Sequence, residues 1–477
     1  MKFTILSHAG LYVEHEGKSI LIDPWLIGSC YWRSWWNFPE PDRELIDNLK
    51  PDYIYLTHLH WDHFQGPSLR LFNKQTKILV PLVNTPRMVR DLNALGFKNV
   101  EEIPHGAGVK LGSNLELYSY QGGISVDSAV VLTNGKTTLF NVNDCKLFGA
   151  PLRQITQRFK DIDFVFRSHS SAYPIPYCIE GYEQKFSQLR TAQDYIEEFS
   201  NFAMHVGAKY AIPFASNHCF LHRETVQFNN TYVSPDSVRD YYNEKARSLG
   251  IKTHCIVMPP GSSWSDREGV DIKEFDYKNK QEYVENLTAK YAASLVKQYE
   301  KEDKAVASFK AFETYFNKLF LAVPSFITKR KRLKVLFQVK EQGSYKYWLV
   351  DFNNRQIKEL EQEEPVDFVV ELHATVINDC TKKMMFSVWP PSKRLKVRLS
   401  DKDRITDVIF LLYILEYYET DLLPLSQSLT WRSLSMRIRR WRDIVEFISV
   451  IFNYKLMRKP FKVAELYPLT SQSSVVS

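Results

Sequence analysis

The chain has 477 residues, of which 44% are hydrophobic and 25% charged. These proportions are ordinary for a folded protein, so they exclude a disordered or fibrous chain, and the length allows two or three domains. The formal net charge of +7 is modest for this length. It is compatible with an anionic small-molecule substrate and gives no support for nucleic-acid binding.

The six cysteines are scattered along the chain and include no C-x-x-C pair. The amino terminus shows no apolar signal segment, and the longest apolar run, residues 408–415, is too short to span a bilayer. We therefore expect a cytoplasmic protein with free thiols.

Strand and helix patterns alternate along the first half of the chain. Short alternating segments at residues 2–7, 11–14 and 18–22 predict an opening β-meander. Amphipathic spacing predicts helices over 42–49, 85–95 and 189–206. Apolar runs predict further strands over 53–56, 77–81, 115–120, 129–132, 137–142 and 210–214. This mixture predicts an α/β protein with two packed sheets and helices outside them.

The composition changes after Gly261-Ser262-Ser263, and we place a domain boundary near residue 275. Residues 1–275 form the predicted metal-binding domain, and 276–425 form a smaller α+β accessory domain with long charged helices and a strand pair. Residues 426–477 are predicted to be a basic amphipathic helical segment followed by a flexible tail.

Three histidines and an aspartate lie within six positions, directly after the apolar run 53–56: His58, His60, Asp62 and His63. The run predicts a buried strand, so these groups would lie at its carboxyl end, where open α/β sheets place their sites. The alternative, a histidine-rich surface loop, is disfavoured because the whole chain has only 12 histidines. The spacing predicts that His58 and His60 bind one cation while Asp62 and His63 reach a second.

Further candidate ligands follow later strands. Asp144 comes after the predicted strand 137–142 and can bridge two cations, although turn and cap aspartates are common. His218 and His222 come after the predicted strand 210–214, and we expect at least one, preferably His218, to complete the second cation's ligands. His169 follows the apolar run 164–166 and is a candidate catalytic group, with an ordinary buried histidine as the alternative.

Two residues have weaker claims. Asp23 stands at a predicted strand end, where it can orient a ligand histidine through the ring nitrogen that does not bind metal. His8 is assigned to the same outer layer. The aromatic loop 25–38 forms either a substrate wall, with Trp35 beside Arg33, or a packing surface at the domain interface.

In chain order, His8-x-Gly10, the segment 21–26, the H-x-H-x-D-H element and Asp144 resemble the metallo-β-lactamase superfamily over residues 1–270. The resemblance implies an αββα sandwich with metals at one edge, between its two sheets. Within the superfamily the chain is similar to the CMP-N-acetylneuraminate hydroxylase family, through these segments: 23–26, 54–60, 143–145, 212–215 and 349–352. Relatives outside the hydroxylases include zinc hydrolases of phosphodiesters, esters and lactones.

The chain departs from these families in two ways. The hydroxylases carry a Rieske iron–sulfur module, whose ligands are a C-x-H and a C-x-x-H motif together; that pair does not occur here. The superfamily also supplies a further histidine about sixty residues after the cluster, whereas residues 121–127 contain none. Asp127 is the candidate substitute; otherwise one metal is weakly held or absent.

Residues 431–462 combine arginines and lysines with aromatic and aliphatic side chains. This pattern has two interpretations. The segment either lies on an anionic membrane surface or docks on the second domain with its basic side in solvent.

Three functions remain open. The first is a monooxygenase with two iron ions, which hydroxylates a nucleotide-linked sugar or similar anion with dioxygen and an external reductant or ferredoxin; Arg33 or Arg167 would hold its phosphate or carboxylate. The second is a zinc-type hydrolase in which Asp62 or a nearby histidine moves the proton of a metal-activated water. The third is a non-catalytic binding member of the fold.

Overall fold

The computed structural model describes residues 1–123, 127–170, 172–181, 191–451 and 463–469. Within them, the first large sheet has eight strands, in the spatial order Gly269–Asp271, Ser263–Ser265, Lys2–Ile5, Leu11–His15, Lys18–Ile22, Tyr53–Tyr55, Lys77–Pro81 and Val100–Ile103. The opening meander is antiparallel, and the last four strands run parallel to one another.

The second sheet has seven strands, in the spatial order His254–Cys255, Tyr210–Phe214, Phe164–Ser168, Thr138–Asn143, Ser128–Thr133, Glu116–Gln121 and Gly108–Lys110. Its first four strands are parallel and the remainder antiparallel. A small third sheet joins Ser29–Cys30, Trp35–Asn37 and His218–Phe220 beside the two large ones.

Alternation along the strands packs the two large sheets face to face. In the first sheet Ile20 and Ile22 enter the core between the sheets, while Leu21 enters the core on the opposite face. In the second sheet Leu139 points inward and Phe140 outward in the same way. Both faces of each sheet are therefore buried, as the period of two in a strand requires.

Helices cover the outer faces. Those on the first sheet are Arg43–Asp47, Gly66–Leu69 and Arg87–Ala94, and those on the second are Gly149–Arg158, Ala192–Val206 and Pro235–Ser248. The helix at 192–206 begins with a capping box between Thr191 and Asp194 and ends at Gly207, whose φ of 71° is left-handed. The predicted αββα sandwich is confirmed. The helix predicted over 189–206 begins at residue 192 in the structure. Residues 189 and 190 lie outside the described residues, and Thr191 caps the helix.

The accessory region contains a five-stranded sheet in the order Gln356–Leu360, Ser344–Asp351, Lys334–Glu341, Phe368–His373 and Lys396–Leu399. Its α-helices are Lys280–Asp303, Phe309–Ala322, Ser325–Lys331, Ala374–Lys383 and Ile405–Glu419. Short 3₁₀ turns lie at Val226–Thr231, Tyr277–Asn279, Pro390–Ser392, Lys402–Arg404, Gln427–Leu429 and Val463–Leu466. The domain limits themselves stay a prediction, since one hydrophobic cluster runs continuously from the first sheet into this region.

The carboxyl-terminal segment forms two helices, Trp431–Arg439 and Trp441–Ile451, where the sequence predicted one. The second packs on Gly149–Arg158 of the sandwich, so docking on the accessory domain is not what the structure shows. Residues 452–462 and the predicted tail at 470–477 lie outside the described residues. Each helix in the described part of the chain is too short or too polar to cross a membrane.

A buried ion cluster joins the sandwich to the accessory region. The guanidinium of Arg394 donates to Glu302 at 2.6 Å and to Glu224 at 2.8 Å. His222 Nε2 lies 3.0 Å from the other oxygen of Glu302. Because Arg394 and Glu302 are almost fully buried, each charge depends on the other for solvation.

Candidate metal centre

The candidate ligands gather where parallel strands of both sheets end. The strands Lys18–Ile22 and Tyr53–Tyr55 lead to Asp23 and to the loop carrying His58 to His63. In the second sheet, Thr138–Asn143 leads to Asp144. Since the carboxyl ends of parallel strands share one edge, groups far apart in sequence meet between the two sheets.

Asp23 accepts hydrogen bonds from residues of both sheets at this edge. One carboxylate oxygen accepts from the Thr57 backbone N–H at 2.8 Å. The other accepts from Thr57 Oγ1 at 2.7 Å, His63 Nδ1 at 2.8 Å and Asn143 Nδ2 at 2.5 Å. Asp23 thus links the two sheets and fixes the ring of His63, which is the orienting role predicted for it.

Seven side chains form three overlapping groups, each with ligand atoms within 4.8 Å of one another. The groups are His58 with His60 and Asp127, His58 with His63 and Asp144, and His8 with Asp62 and His63. The structure therefore brings together five of the predicted ligands, Asp127, which was the candidate substitute for a missing histidine, and His8, which the sequence placed in the outer layer. The roles of all seven as ligands stay a prediction.

The groups have the chemistry that bound cations need. His63 donates from Nδ1 to Asp23, and its buried Nε2 has no hydrogen-bond partner among the described residues. Both ring nitrogens of buried His8 also lack such a partner. An unpaired polar atom in a buried position is costly, whereas a cation would satisfy these nitrogens together with the facing carboxylates.

The electrostatics of the pair Asp62 and His63 are consistent with this interpretation. Burial alone would favour the neutral forms, but their mutual attraction, with Asp23 and His8, holds the pKa of Asp62 well below and that of His63 well above the ordinary value. Burial lowers the pKa of His58 to about 4, so its ring is neutral at neutral pH. A cation binding at Nε2 of His63 would displace a proton there, which couples metal binding to pH.

Tyr31 belongs to the site although the sequence did not single it out. Its hydroxyl donates to Asp62 Oδ1 at 2.5 Å, which leaves Oδ2 facing His8 and His63 at 3.2 Å each. Tyr31, Trp32 and Arg33 all have φ between 53° and 62°. Three consecutive left-handed residues are uncommon, so no local sequence signal predicted where this hydroxyl would point.

Replacing Tyr31 with phenylalanine is expected to weaken metal binding about tenfold, because Asp62 loses the hydroxyl that orients it. Competition with a chromogenic chelator measures the affinity. Tyr55→Phe is the matched control, since the Tyr55 hydroxyl is equally buried and its hydrogen-bond partners among the described residues are Ser119 and Ser128. Equal affinity in the Tyr31 variant and the wild type would show that Asp62 does not need this contact.

His218 and Trp35 lie next to the three groups; His218 is in none of them, and its role as a ligand stays a prediction. The rings of His218 and Trp35 stack at 3.6 Å between centroids with an angle of 4°, and the His218 ring lies 5.5 Å from that of His8. Burial holds the pKa of His218 well below its ordinary value. Trp35 is also nearly fully buried. It therefore forms a wall behind His8 rather than an open substrate surface.

His169 is buried at the end of Phe164–Ser168, and both ring nitrogens lack a hydrogen-bond partner among the described residues. Burial lowers its pKa to about 3, so the ring is neutral. Its backbone N–H donates to Ser216 Oγ at 3.0 Å, which ties two of the strand-end loops together. Its assignment as a catalytic group stays a prediction.

The structure corrects the assignment of His222. Both ring nitrogens are used elsewhere, because Nε2 faces Glu302 and Nδ1 accepts from the Glu224 backbone N–H at 3.1 Å. Cys219 and His222 have C-x-x-H spacing, but His222 is held in the ion cluster and Cys219 is buried among apolar side chains. His222 therefore belongs to the domain interface.

The two arginines predicted to hold the substrate are also engaged within the protein. Arg33 donates to Ser294 at 2.7 Å and to Gln298 at 3.3 Å on the helix Lys280–Asp303. Arg167 is almost fully buried, donates to Glu198 at 2.6 Å and lies over the ring of Phe202. The aromatic loop thus packs at the domain interface, and these two side chains are unsuited to bind a diffusing anion.

The two-sheet sandwich and the cluster at its edge have the arrangement of the metallo-β-lactamase fold, with side chains that could hold metal ions. Residues 5–66 match the family model described as the metallo-beta-lactamase superfamily. That match covers the strands Leu11–His15, Lys18–Ile22 and Tyr53–Tyr55 and the loop from His58 to His63, so the likeness to the superfamily is shown over these residues.

Among curated proteins, a putative Rieske 2Fe-2S iron-sulfur protein of Mycolicibacterium smegmatis is 30% identical over 277 residues, 55% of this chain and 53% of the relative. The cytidine monophosphate-N-acetylneuraminic acid hydroxylase of Mus musculus is 28% identical over 152 residues, 30% of this chain and 26% of the relative. The chain therefore spans about half the length of the first of these relatives and a quarter of the second.

Among solved structures, an isothiocyanate hydrolase from Delia radicum gut bacteria is 16% identical. It aligns over 56% of this chain and 99% of its own, with a TM-score of 0.41. Hydrolases and hydroxylases thus both occur among the proteins this chain is similar to.

Proposed function

We propose that this chain is the metal-binding part of an iron-dependent monooxygenase that hydroxylates an anionic small molecule of the nucleotide-sugar kind. The observation that carries the proposal is the donor set. Four histidines and three aspartates surround the site, with Asp127 in the place where a further histidine was expected. Zinc also accepts carboxylate oxygens, but a set with three carboxylates is rich in hard donors, and on this ground we favour iron.

The metals would supply dioxygen activation and redox chemistry. The chain itself supplies the cage and its rigidity: Asp23 orients His63, Tyr31 orients Asp62, and the wall of Trp35 and His218 keeps water from the side of His8. Lys146, two residues after Asp144, is half-exposed, although it pairs with Glu198 at 3.3 Å, and it is our candidate contact for the substrate's anionic group.

Electrons would come from a ferredoxin, a reductase or an iron–sulfur module that these 477 residues do not contain. The six cysteines are all buried and free, and the paired Rieske motifs do not occur in the sequence. The likeness to a hydroxylase and to putative Rieske proteins supports an oxidative reaction, because these relatives carry names of redox proteins.

The second candidate is a zinc hydrolase. It is favoured by the two neutral imidazoles of His58 and His60, whose Nε2 and Nδ1 lie 2.9 Å apart and can share one zinc. In that case a metal-bound water would be the nucleophile and Asp62 would accept its proton.

Changing Asp127 to histidine tests whether the Asp127 carboxylate favours iron over zinc. We expect the ratio of iron to zinc affinity to fall about tenfold, because a nitrogen replaces the carboxylate oxygen. Metal competition followed by elemental analysis measures the ratio. The His254→Ala variant, altered at an exposed position, is the control.

For the reaction itself, the iron-loaded wild-type protein should consume oxygen with an artificial reductant and a nucleotide sugar. No oxygen uptake by the iron form, together with phosphodiester or ester cleavage by the zinc form, would overturn the proposal in favour of the hydrolase.

A further inference from the structure

The two carboxyl-terminal helices expose an unusual set of side chains. Six large apolar residues point outward at helical spacing, with exposed fractions from 37% to 79%: Trp431, Leu434, Ile438, Trp441, Val445 and Ile448. They recur every three or four residues along both helices, so they form one stripe on each helix. We call these six residues the apolar stripe.

The opposite sides of the helices are held firmly. Arg432 pairs with Glu102 at the edge of the first sheet, and Arg440 donates to the carbonyl of Gly123. Phe447 packs near Phe148 of the second layer. The two helices are therefore anchored to the sandwich, and the apolar stripe faces away from these contacts.

Charge is sorted between the two sides. The acidic residues of the helices are used internally, because Asp443 pairs with Arg440 and Glu446 pairs with Arg153. Arg439 and Arg442 are exposed and have no acidic partner among the described residues. Among the described residues of the two helices, the outward side therefore carries apolar and cationic groups and no acidic side chain.

A basic cavity of about 680 Å³ lies between these helices and Gly149–Arg158. Among the described residues of its lining, Asp443 is the single acidic one. The lining also includes five arginines: Arg153, Arg158, Arg439, Arg440 and Arg442. Arg158 is bound to the carbonyl of Gly106 and lies over the Tyr118 ring, again without an acidic partner among the described residues. The cavity suits a phosphate group at the border of the apolar stripe.

We propose that this face binds the surface of an anionic phospholipid bilayer. The apolar stripe would enter the boundary between headgroups and acyl chains, where tryptophan is favoured, while Arg439, Arg442 and Arg158 contact headgroup phosphates. A protein partner would need acidic groups opposite the arginines around an apolar centre, whereas a phosphatidylglycerol or phosphatidylserine surface offers both features everywhere.

The docked helices contact the loop that leads to Asp127. Arg440, at the junction of the two helices, holds Gly123, four residues before Asp127. The inference is independent of the reaction proposed above, and its test uses no enzymatic readout.

The full chain should co-sediment with vesicles of phosphatidylcholine mixed with phosphatidylglycerol and not with pure phosphatidylcholine, and added salt should weaken binding. The double variant Ile438→Ser with Trp441→Ser should lose about tenfold or more in affinity. Arg439→Gln with Arg442→Gln should lose about fivefold for each arginine at low salt.

Matched controls lie elsewhere on the surface. Val296→Ser with Leu321→Ser removes two exposed apolar side chains, and Lys297→Gln with Lys301→Gln removes two charges; neither pair should change binding. Equal vesicle binding by all variants, or none by the wild type, would overturn the proposal.

Two further outcomes would also overturn it. A dimer that Ile438→Ser with Trp441→Ser dissociates would show that a second copy covers the apolar stripe. Release from vesicles by inorganic phosphate, beyond the effect of chloride at equal ionic strength, would assign the cavity to free phosphate.

Discussion

Replacing His63 with alanine is expected to reduce bound metal to less than one equivalent and to lower any metal-dependent activity by about a thousandfold or more. The reason is its shared position, because His63 belongs to two of the three candidate ligand groups. Its Nδ1 also donates to Asp23, whose carboxylate contacts residues of both sheets. Elemental analysis of freshly purified protein, with an activity assay on the same sample, measures the effect.

The control is His254→Ala, which removes an exposed histidine far along the chain from the cluster. Thermal unfolding of both variants shows whether the fold survives. Full metal content in a folded His63 variant would show that the cations bind elsewhere.

The second large effect concerns the buried ion cluster at the domain interface. Changing Arg394 to alanine is expected to lower the free energy of unfolding by about 3–5 kcal/mol, because Glu302 is left charged and buried. Chemical denaturation measures the change. The double variant Arg394→Met with Glu302→Gln should be less destabilised than Arg394→Ala, since no unpaired charge remains on Glu302.

The stability lost in the Arg394→Ala variant is expected to depend on pH. Burial raises the pKa of Glu302, but His222 and Arg394 outweigh that effect and lower it below its ordinary value. A lowered carboxyl pKa adds stability that is complete above the unfolded value, about 4.3, and is lost as the pH falls through the folded value. The difference in stability between wild type and Arg394→Ala should therefore narrow below about pH 4.3. A constant difference would contradict the assigned ion pair.

Much of the sandwich could be predicted because its strands carry local signals. Residues 53–56 and 77–81 are apolar runs, and both form strands close to the predicted limits. The carboxyl-terminal helix was predicted as one element, but Arg440 turns inward to Asp443 and Gly123 and the helix breaks there. The contact with Gly123 joins residues 317 positions apart, so no local pattern indicates it.

The sequence by itself determined the loop from His58 to His63, since three imidazoles and a carboxylate within six positions need no partner to be recognised. Only the tertiary structure decided which distant groups join them. It added His8, put Asp127 beside His58 and His60, and left His222, Arg33 and Arg167 in contacts within the protein. The physical reason is that ligand spacing within one loop is a local property, whereas the packing of two sheets decides which strand ends meet.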